Sequence, residues 1–157
     1  MEESIHEMNQ YMKLAIEEAR KGIHDGHGGP FGAVVVKDGQ VIGRGHNRVV
    51  VDHDPTCHGE ISAIRDACKN LGTFDLSGAE IYTTGEPCPM CLGAILWANI
   101  GKVYYGCNTI DTDKIGFRDE NFYKRFSSRQ DFCEVMDREE CLKLYEEYTS
   151  LEGNVNY

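Results

Sequence analysis

Apolar residues recur every three or four positions at Ile5, Met8, Met12, Ala15, Ile16 and Ala19, which predicts an amphipathic helix over residues 5–21 stopped by Gly22. After a glycine-rich stretch from His24 to Pro30, the apolar run Gly32 to Val36, the turn Lys37-Asp38-Gly39-Gln40 and a second run from Val41 to Gly45 predict a β-hairpin. Asp54-Pro55 offers an N-cap followed by a first-turn proline. The helix it opens would bury Ile61, Ile64, Cys68 and Leu71 and end at Gly72. A strand from Ala79 to Thr84, a helix from Cys88 to Asn99 and a strand from Lys102 to Gly106 follow. Helix, strand, helix, strand implies parallel pairing through right-handed crossovers. Phe132 to Met136 reads as a further strand, and Asp137 to Leu151 as a helix opened by an Asp137/Glu140 capping box. No repeat, low-complexity tract or linker interrupts the pattern. The expectation is a single domain over residues 1–157, α/β in class, with three α/β/α layers around a central mixed sheet of about five strands.

Composition narrows the setting. A chain that is 41% hydrophobic and 27% charged has the make-up of an ordinary soluble protein. Its longest apolar runs are too short to cross a bilayer, and Met1-Glu2-Glu3-Ser4 lacks the basic start of a secretion signal. A cytoplasmic protein with no membrane partner is expected. Seven cysteines without such a signal argue against a disulfide scaffold, so Cys68, Cys107, Cys133 and Cys141 are expected to be small buried hydrophobes. Sixteen Lys and Arg against 26 Asp and Glu give a formal charge of −10. Polyanion binders cluster cations, and only Lys124, Arg125 and Arg129 suggest a local basic group, so nucleic acid is not the expected partner. A small, weakly charged substrate is. The glycine-rich loop lacks a Gly-Lys-Ser/Thr ending and precedes a strand, which argues against a phosphate cradle.

Two short motifs concentrate the chemistry: Cys57-His58-Gly59-Glu60 and Glu86-Pro87-Cys88-Pro89-Met90-Cys91. Residues two apart on a regular helix face nearly opposite ways. His58 and Glu60 can therefore address one site only if His58 lies at a helix entrance. Cys88 and Cys91 share a helix face, and Pro87 and Pro89 put both in the first turn, where exposed N–H groups favour thiolates. One imidazole and two thiolates leave one place of a tetrahedral zinc ion open for water, the pattern of a catalytic and not a structural site. The expectation is one Zn2+ per subunit on His58, Cys88 and Cys91, with Glu60 taking and returning the proton. Cys57 points away from its neighbour His58, and a redox role for Cys88 and Cys91 lacks a thioredoxin-like context. His24, His27, His46 and His53 fall in predicted loops and are expected at the surface.

These motifs, with Pro30-Phe31-Gly32-Ala33-Val34-Val35-Val36, His46-Asn47, Asp54-Pro55-Thr56 and Gly93-Ala94-Ile95, resemble the cytidine deaminase-like superfamily. Gly59 stands where that motif usually has alanine. Within the superfamily, Phe31, Asn47, Trp97, the segment Gly116-Phe117-Arg118-Asp119-Glu120-Asn121-Phe122-Tyr123 and the terminal Tyr157 resemble the bacterial guanine deaminases. The resemblance implies a purine pocket in which Asn47 and Asp119 bond the base, Phe31 lies against its ring and Tyr157 closes over it. It also implies homodimers that exchange a C-terminal segment, here about residues 137–157, and hydrolysis of guanine to xanthine and ammonia. Asp111 and Asp113 compete with Asp119 for its role. The alternatives are a tRNA adenosine deaminase, which would need a basic face, and a guanosine or cytosine deaminase. A zinc-stabilised binding module without turnover leaves Glu60 and the open position without a role.

Overall fold

The computed structural model describes residues 7–157. Helix α1 spans Gln10–His24, and the Asn9 side chain caps it by accepting from the backbone N–H groups of Tyr11 and Met12. Met8 precedes the helix and is exposed, while Ile5 lies outside the described residues. Strand β1 (Gly32–Lys37) pairs antiparallel with β2 (Gln40–His46). Asp38 and Gly39 between them both have positive φ, 51° and 75°, as a tight hairpin of the expected kind requires. Strand β3 (Ala79–Gly85) is antiparallel to β1, and β4 (Lys102–Cys107) is parallel to β3. Among the described residues the sheet is mixed and four-stranded, in the order β2-β1-β3-β4.

Alternation along β1 builds the layers. Val34 and Val36 join Tyr82 against Tyr11, Met12 and Leu14 of α1. Ala33 and Val35 face the opposite way, into a cluster with Leu76, Ile81, Ile95 and Ile100. That second face is covered by α3 (Gly59–Leu71) and α4 (Pro89–Trp97). A one-turn helix that the periodicity misses, α2 (Val49–Asp52), precedes them.

Helix α3 starts at His58 and not at Asp54-Pro55. Asp54 instead closes a turn, accepting from the Thr56 N–H and hydroxyl. The buried face is also not the apolar stripe. It consists of Gly59, Glu60, Ala63 and Ala67, with Ile64 and Cys68 partly buried and Leu71 exposed. The cause is close approach to β2: a Cβ on Gly43 would lie 2.5 Å from the Ala63 carbonyl oxygen and 2.6 Å from the Ala67 nitrogen. Only a face of small residues can pack so near a strand.

Beyond β4 the sequence reading fares less well. Helices α5 (Thr109–Lys114) and α6 (Asp119–Phe126) were not expected. A capping box announces the first: Asn108 accepts from the Asp111 N–H, and Asp111 accepts from the Asn108 N–H. By internal packing the chain divides into two compact units, one ending at Tyr123 and one of Lys124–Tyr157. In the second, the strand expected near Phe132 to Met136 does not form. A 3-10 turn (Arg129–Asp131) is followed by irregular chain in which Val135 and Met136 are exposed. A short apolar run becomes a strand only where a neighbour takes up its backbone groups. Helix α7 (Arg138–Ser150) follows, but Asp137 sits at φ 52° and makes no side-chain cap bond, so the expected capping box is absent. The Tyr148 hydroxyl instead ties down the tail, donating to the Val155 carbonyl and accepting from its N–H.

Candidate active site

Two helix entrances meet at the end of β3. His58 is the N-cap of α3, with extended backbone at φ −73° and ψ 163°. Cys88 is the N-cap of α4, at φ −66° and ψ 167°, and Pro89 occupies the first turn. The non-helical backbone at His58 allows its ring to turn towards the same site as Glu60, as the two-residue spacing demands. His58 Nδ1 lies 3.6 Å from Cys88 Sγ and 3.4 Å from Cys91 Sγ. Nitrogen and sulfur donors on one tetrahedral zinc sit roughly 3.5 Å apart, given the usual bond lengths. Among the described residues these three side chains form the group of His, Cys, Asp or Glu donors able to share an ion. The donor set and its spacing fit zinc, with a fourth place left without a protein ligand.

The electrostatics reinforce this. The hydrogen bond from Cys91, with His58 beside it, pulls the Cys88 thiol down to about 4, while the same pairing and burial push Cys91 up. The pair is set to share a proton between its sulfurs, with Cys88 the more acidic of the two. A bound cation would displace the shared proton and leave both as thiolates. Cys88 in turn raises His58. Glu60 is 6% exposed, and burial raises its carboxyl group.

A cavity of about 280 Å³ opens beside these groups. His58, Glu60, Phe31, Asn47 and Asp119 all line it. The Asn47 side-chain oxygen Oδ1 accepts from the Val49 N–H at 3.0 Å, which fixes the amide and leaves its NH2 as the donor it can offer a ligand. Burial, with the Cys88 charge nearby, raises the Asp119 carboxyl group. Asp111 is used in the α5 capping box and Asp113 is exposed on that helix; neither lines the cavity. Tyr157 is the last residue of the second unit and is exposed.

Several lining residues were quoted in the motifs but given no role of their own. Phe117 meets Phe31 edge-on, centroids 4.9 Å apart at 81°, and Arg118 lies over the Phe122 ring at 5.0 Å. Glu86 lines the cavity and accepts from the Thr109 N–H. Its position directly before Pro87-Cys88 was the available signal. The Tyr123 hydroxyl donates to the Pro87 carbonyl oxygen at 2.6 Å, tying α6, and hence Asp119, to the cysteine motif. At Gly59 an alanine Cβ would stand 2.9 Å from the Phe31 carbonyl oxygen, so this chain holds Phe31 closer to α3 than alanine permits.

Two expectations need correction. His46 is the buried end of β2 and His27 is half-buried, and the two bond each other; only His24 and His53 are surface residues. All seven cysteines are free, as expected, but Cys107, Cys133 and Cys141 are exposed and Cys68 only half-buried. Apolar neighbours in sequence did not report apolar neighbours in space.

Comparison with known proteins agrees with the geometry. Residues 5–107 match the family model for the cytidine and deoxycytidylate deaminase zinc-binding region. Over 114 residues the chain is 49% identical to guanine deaminase of Bacillus subtilis, covering 73% of each sequence. The X-ray structure of that Bacillus subtilis enzyme superposes with a TM-score of 0.86 at 40% identity, covering 96% of this chain and 99% of the other. The tRNA-specific adenosine deaminase of Bacillus subtilis is 46% identical over 96 residues, which is 61% of this chain and 59% of that one. No helix among the described residues is long and apolar enough to cross a membrane. The chain belongs to the zinc-dependent cytidine deaminase-like family.

Proposed function

We propose that this chain hydrolyses guanine to xanthine and ammonia. The observation that carries the reading is the reach of the likeness: it extends over 96% of the chain for guanine deaminase, against 62% and a TM-score of 0.60 for a tRNA adenosine deaminase structure. Asp119 lines the cavity together with His58 and Glu60.

His58, Cys88 and Cys91 would hold one zinc ion, which supplies the positive charge that makes water easier to ionise at the position left open. Glu60, buried beside Cys91, takes one proton from the attacking water and gives it to the ring nitrogen, then takes the second from the newly added hydroxyl and gives it to the departing amine. Water adds to the amino-bearing carbon, the carbon–nitrogen bond breaks, and ammonia leaves. Asn47 donates its amide hydrogens to acceptors on the base and Phe31 lies against the ring. Asp119 accepts from the base's N–H groups, and Tyr157 closes the pocket.

The same reading has the 157 residues working as one domain in a cytoplasmic homodimer that exchanges residues 137–157. Its support is the second unit, where Val135, Met136, Leu144, Tyr145 and Leu151 are all exposed. The net charge of −10 supports a small purine over RNA. Ammonia release from guanine, guanosine, adenine, cytosine and a tRNA anticodon stem tests the assignment. Turnover of guanine alone, or by far the fastest, is expected; preference for the RNA would overturn it.

A further inference from the structure

His46 stands between the sheet and the proposed purine contact Asn47, and its surroundings dictate its protons. Its Nδ1 lies 3.0 Å from Glu18 Oε2, and its Nε2 lies 2.8 Å from His27 Nδ1. Arg48 Nη1 also reaches His27 Nδ1, at 3.4 Å. A guanidinium can only donate, so His27 Nδ1 is bare and accepts. The 2.8 Å contact then needs a proton on His46 Nε2. The Glu18 carboxylate likewise only accepts, which needs a second proton on His46 Nδ1. These contacts are all met at once by a His46 ring, 7% exposed, that donates from both nitrogens, to a carboxylate on one side and an imidazole on the other.

The neighbouring charges suit that state. Glu18 also pairs with Arg44 at 2.9 Å, and Arg48 is held by Asp52 through contacts of 2.9 and 3.0 Å. On α1 the imidazole rests on Gly22, where a Cβ would come within 2.6 Å of His46 Cδ2. The α3 side contributes Asp66, whose carboxylate accepts from the Arg44 N–H.

This chain of bonds joins the segments that form one wall of the cavity. His27 belongs to the glycine-rich loop, and its carbonyl oxygen accepts from the N–H groups of Val50 and Val51 at 3.0 and 3.1 Å. The next residue, Gly28, lies directly on Asn47: a Cβ there would fall 2.1 Å from Asn47 Oδ1. The Asn47 N–H in turn bonds the Phe31 carbonyl oxygen at 2.9 Å. Gly29, Phe31, Asn47, Val49 and Val50 all face the cavity. The bond between His27 and His46 is the side-chain pin that fastens the loop to the end of β2.

We propose that His46, doubly protonated between Glu18 and His27, is a positioning residue that sets Asn47 for the purine and makes binding of the base, not the chemical step, sensitive to pH. The proposal rests on the assignment of Asn47 to the base. With a proton on each ring nitrogen His46 makes both bonds; with one proton removed it keeps only one of them. The pin then loosens and Asn47 is no longer held against Gly28.

Steady-state kinetics with guanine, run as a function of pH on the zinc-loaded full chain, test this directly. For the unaltered protein KM rises with pH while kcat shows no matching step. In His46→Gln, which can donate to only one partner, KM at low pH rises about tenfold, the worth of one charged hydrogen bond, and its pH step disappears. Zinc content stays at one per chain. A KM step retained in His46→Gln, or a fall in kcat at unchanged KM, overturns the proposal. Asn47→Ala separates the two assignments. If it leaves KM unchanged, the role of Asn47 fails and the proposal falls with it; if it raises KM while His46→Gln does not, only the proposal falls. Should His46→Gln fail to fold, nitrogen-15 NMR of the unaltered protein decides: two protonated ring nitrogens on His46 at low pH support the proposal, and a neutral tautomer overturns it.

Discussion

In the unit ending at Tyr123, Val34, Val35, Ile81 and Ile95 are at most 1% exposed, and the zinc donors hang from helices that pack on those residues. In Lys124–Tyr157 no residue is buried; Phe132 is 55% exposed, Leu144 62%, Tyr145 68% and Met136 76%. Both stretches contain apolar residues at helical spacing, yet only the first surrounds them. The second is shorter than the roughly 40 residues below which a chain rarely sustains its own core. What differs is therefore not hydrophobicity but the presence of a facing surface. A site that needs donors held to within fractions of an ångström belongs in the first unit. In the second, no apolar side chain is enclosed.

The largest effect should come from a change inside the first unit that leaves its packing alone. Glu60→Gln is expected to keep one zinc per chain, by metal analysis, and to lose about 10²–10⁴-fold in kcat, the usual worth of a positioned acid–base group. Near-normal turnover would remove Glu60 from the reaction. Cys91→Ser should lower zinc content and melting temperature together, whereas a chelator should do the same to the unaltered chain and leave Cys91→Ser unmoved.

Ile95→Ala sharpens the comparison of cores. Its side chain is 1% exposed, so truncation should cost about 2–5 kcal/mol in urea unfolding. The matching truncation Leu144→Ala, at 62% exposure, should cost the isolated subunit almost nothing. Leu144→Glu with Tyr145→Glu should instead halve the mass seen by light scattering if these side chains are covered by a second copy. An unchanged mass would dissociate the segment from assembly.

The smallest effect is a matter of pH. Burial, with the Glu80 carboxylate bonded to its hydroxyl, pushes Tyr82 up to about 12. The folded state binds this proton more tightly than the unfolded chain, so the stabilisation is complete below about pH 10 and disappears as pH rises through 12. Unfolding free energies measured from pH 9 to 12 should fall with pH, and Tyr82→Phe should flatten that fall.

The sequence by itself determined the chemistry. His58, Glu60, Cys88 and Cys91 were legible because donor type and spacing around helix starts are local properties, and the structure sets them at the two N-caps. The hairpin and the parallel pair of strands were legible for the same reason, since turn residues and apolar alternation act within a few residues. Helix α3 was legible as a helix but not in its buried face, because close approach to Gly43 selects small side chains over large ones. Which aspartate faces the cavity, that His46 is buried between Glu18 and His27, and that Phe132 to Met136 pairs with nothing were decided by tertiary structure. Each of these depends on what a distant segment places opposite the residue. Only the folded chain brings those partners within reach of a hydrogen bond.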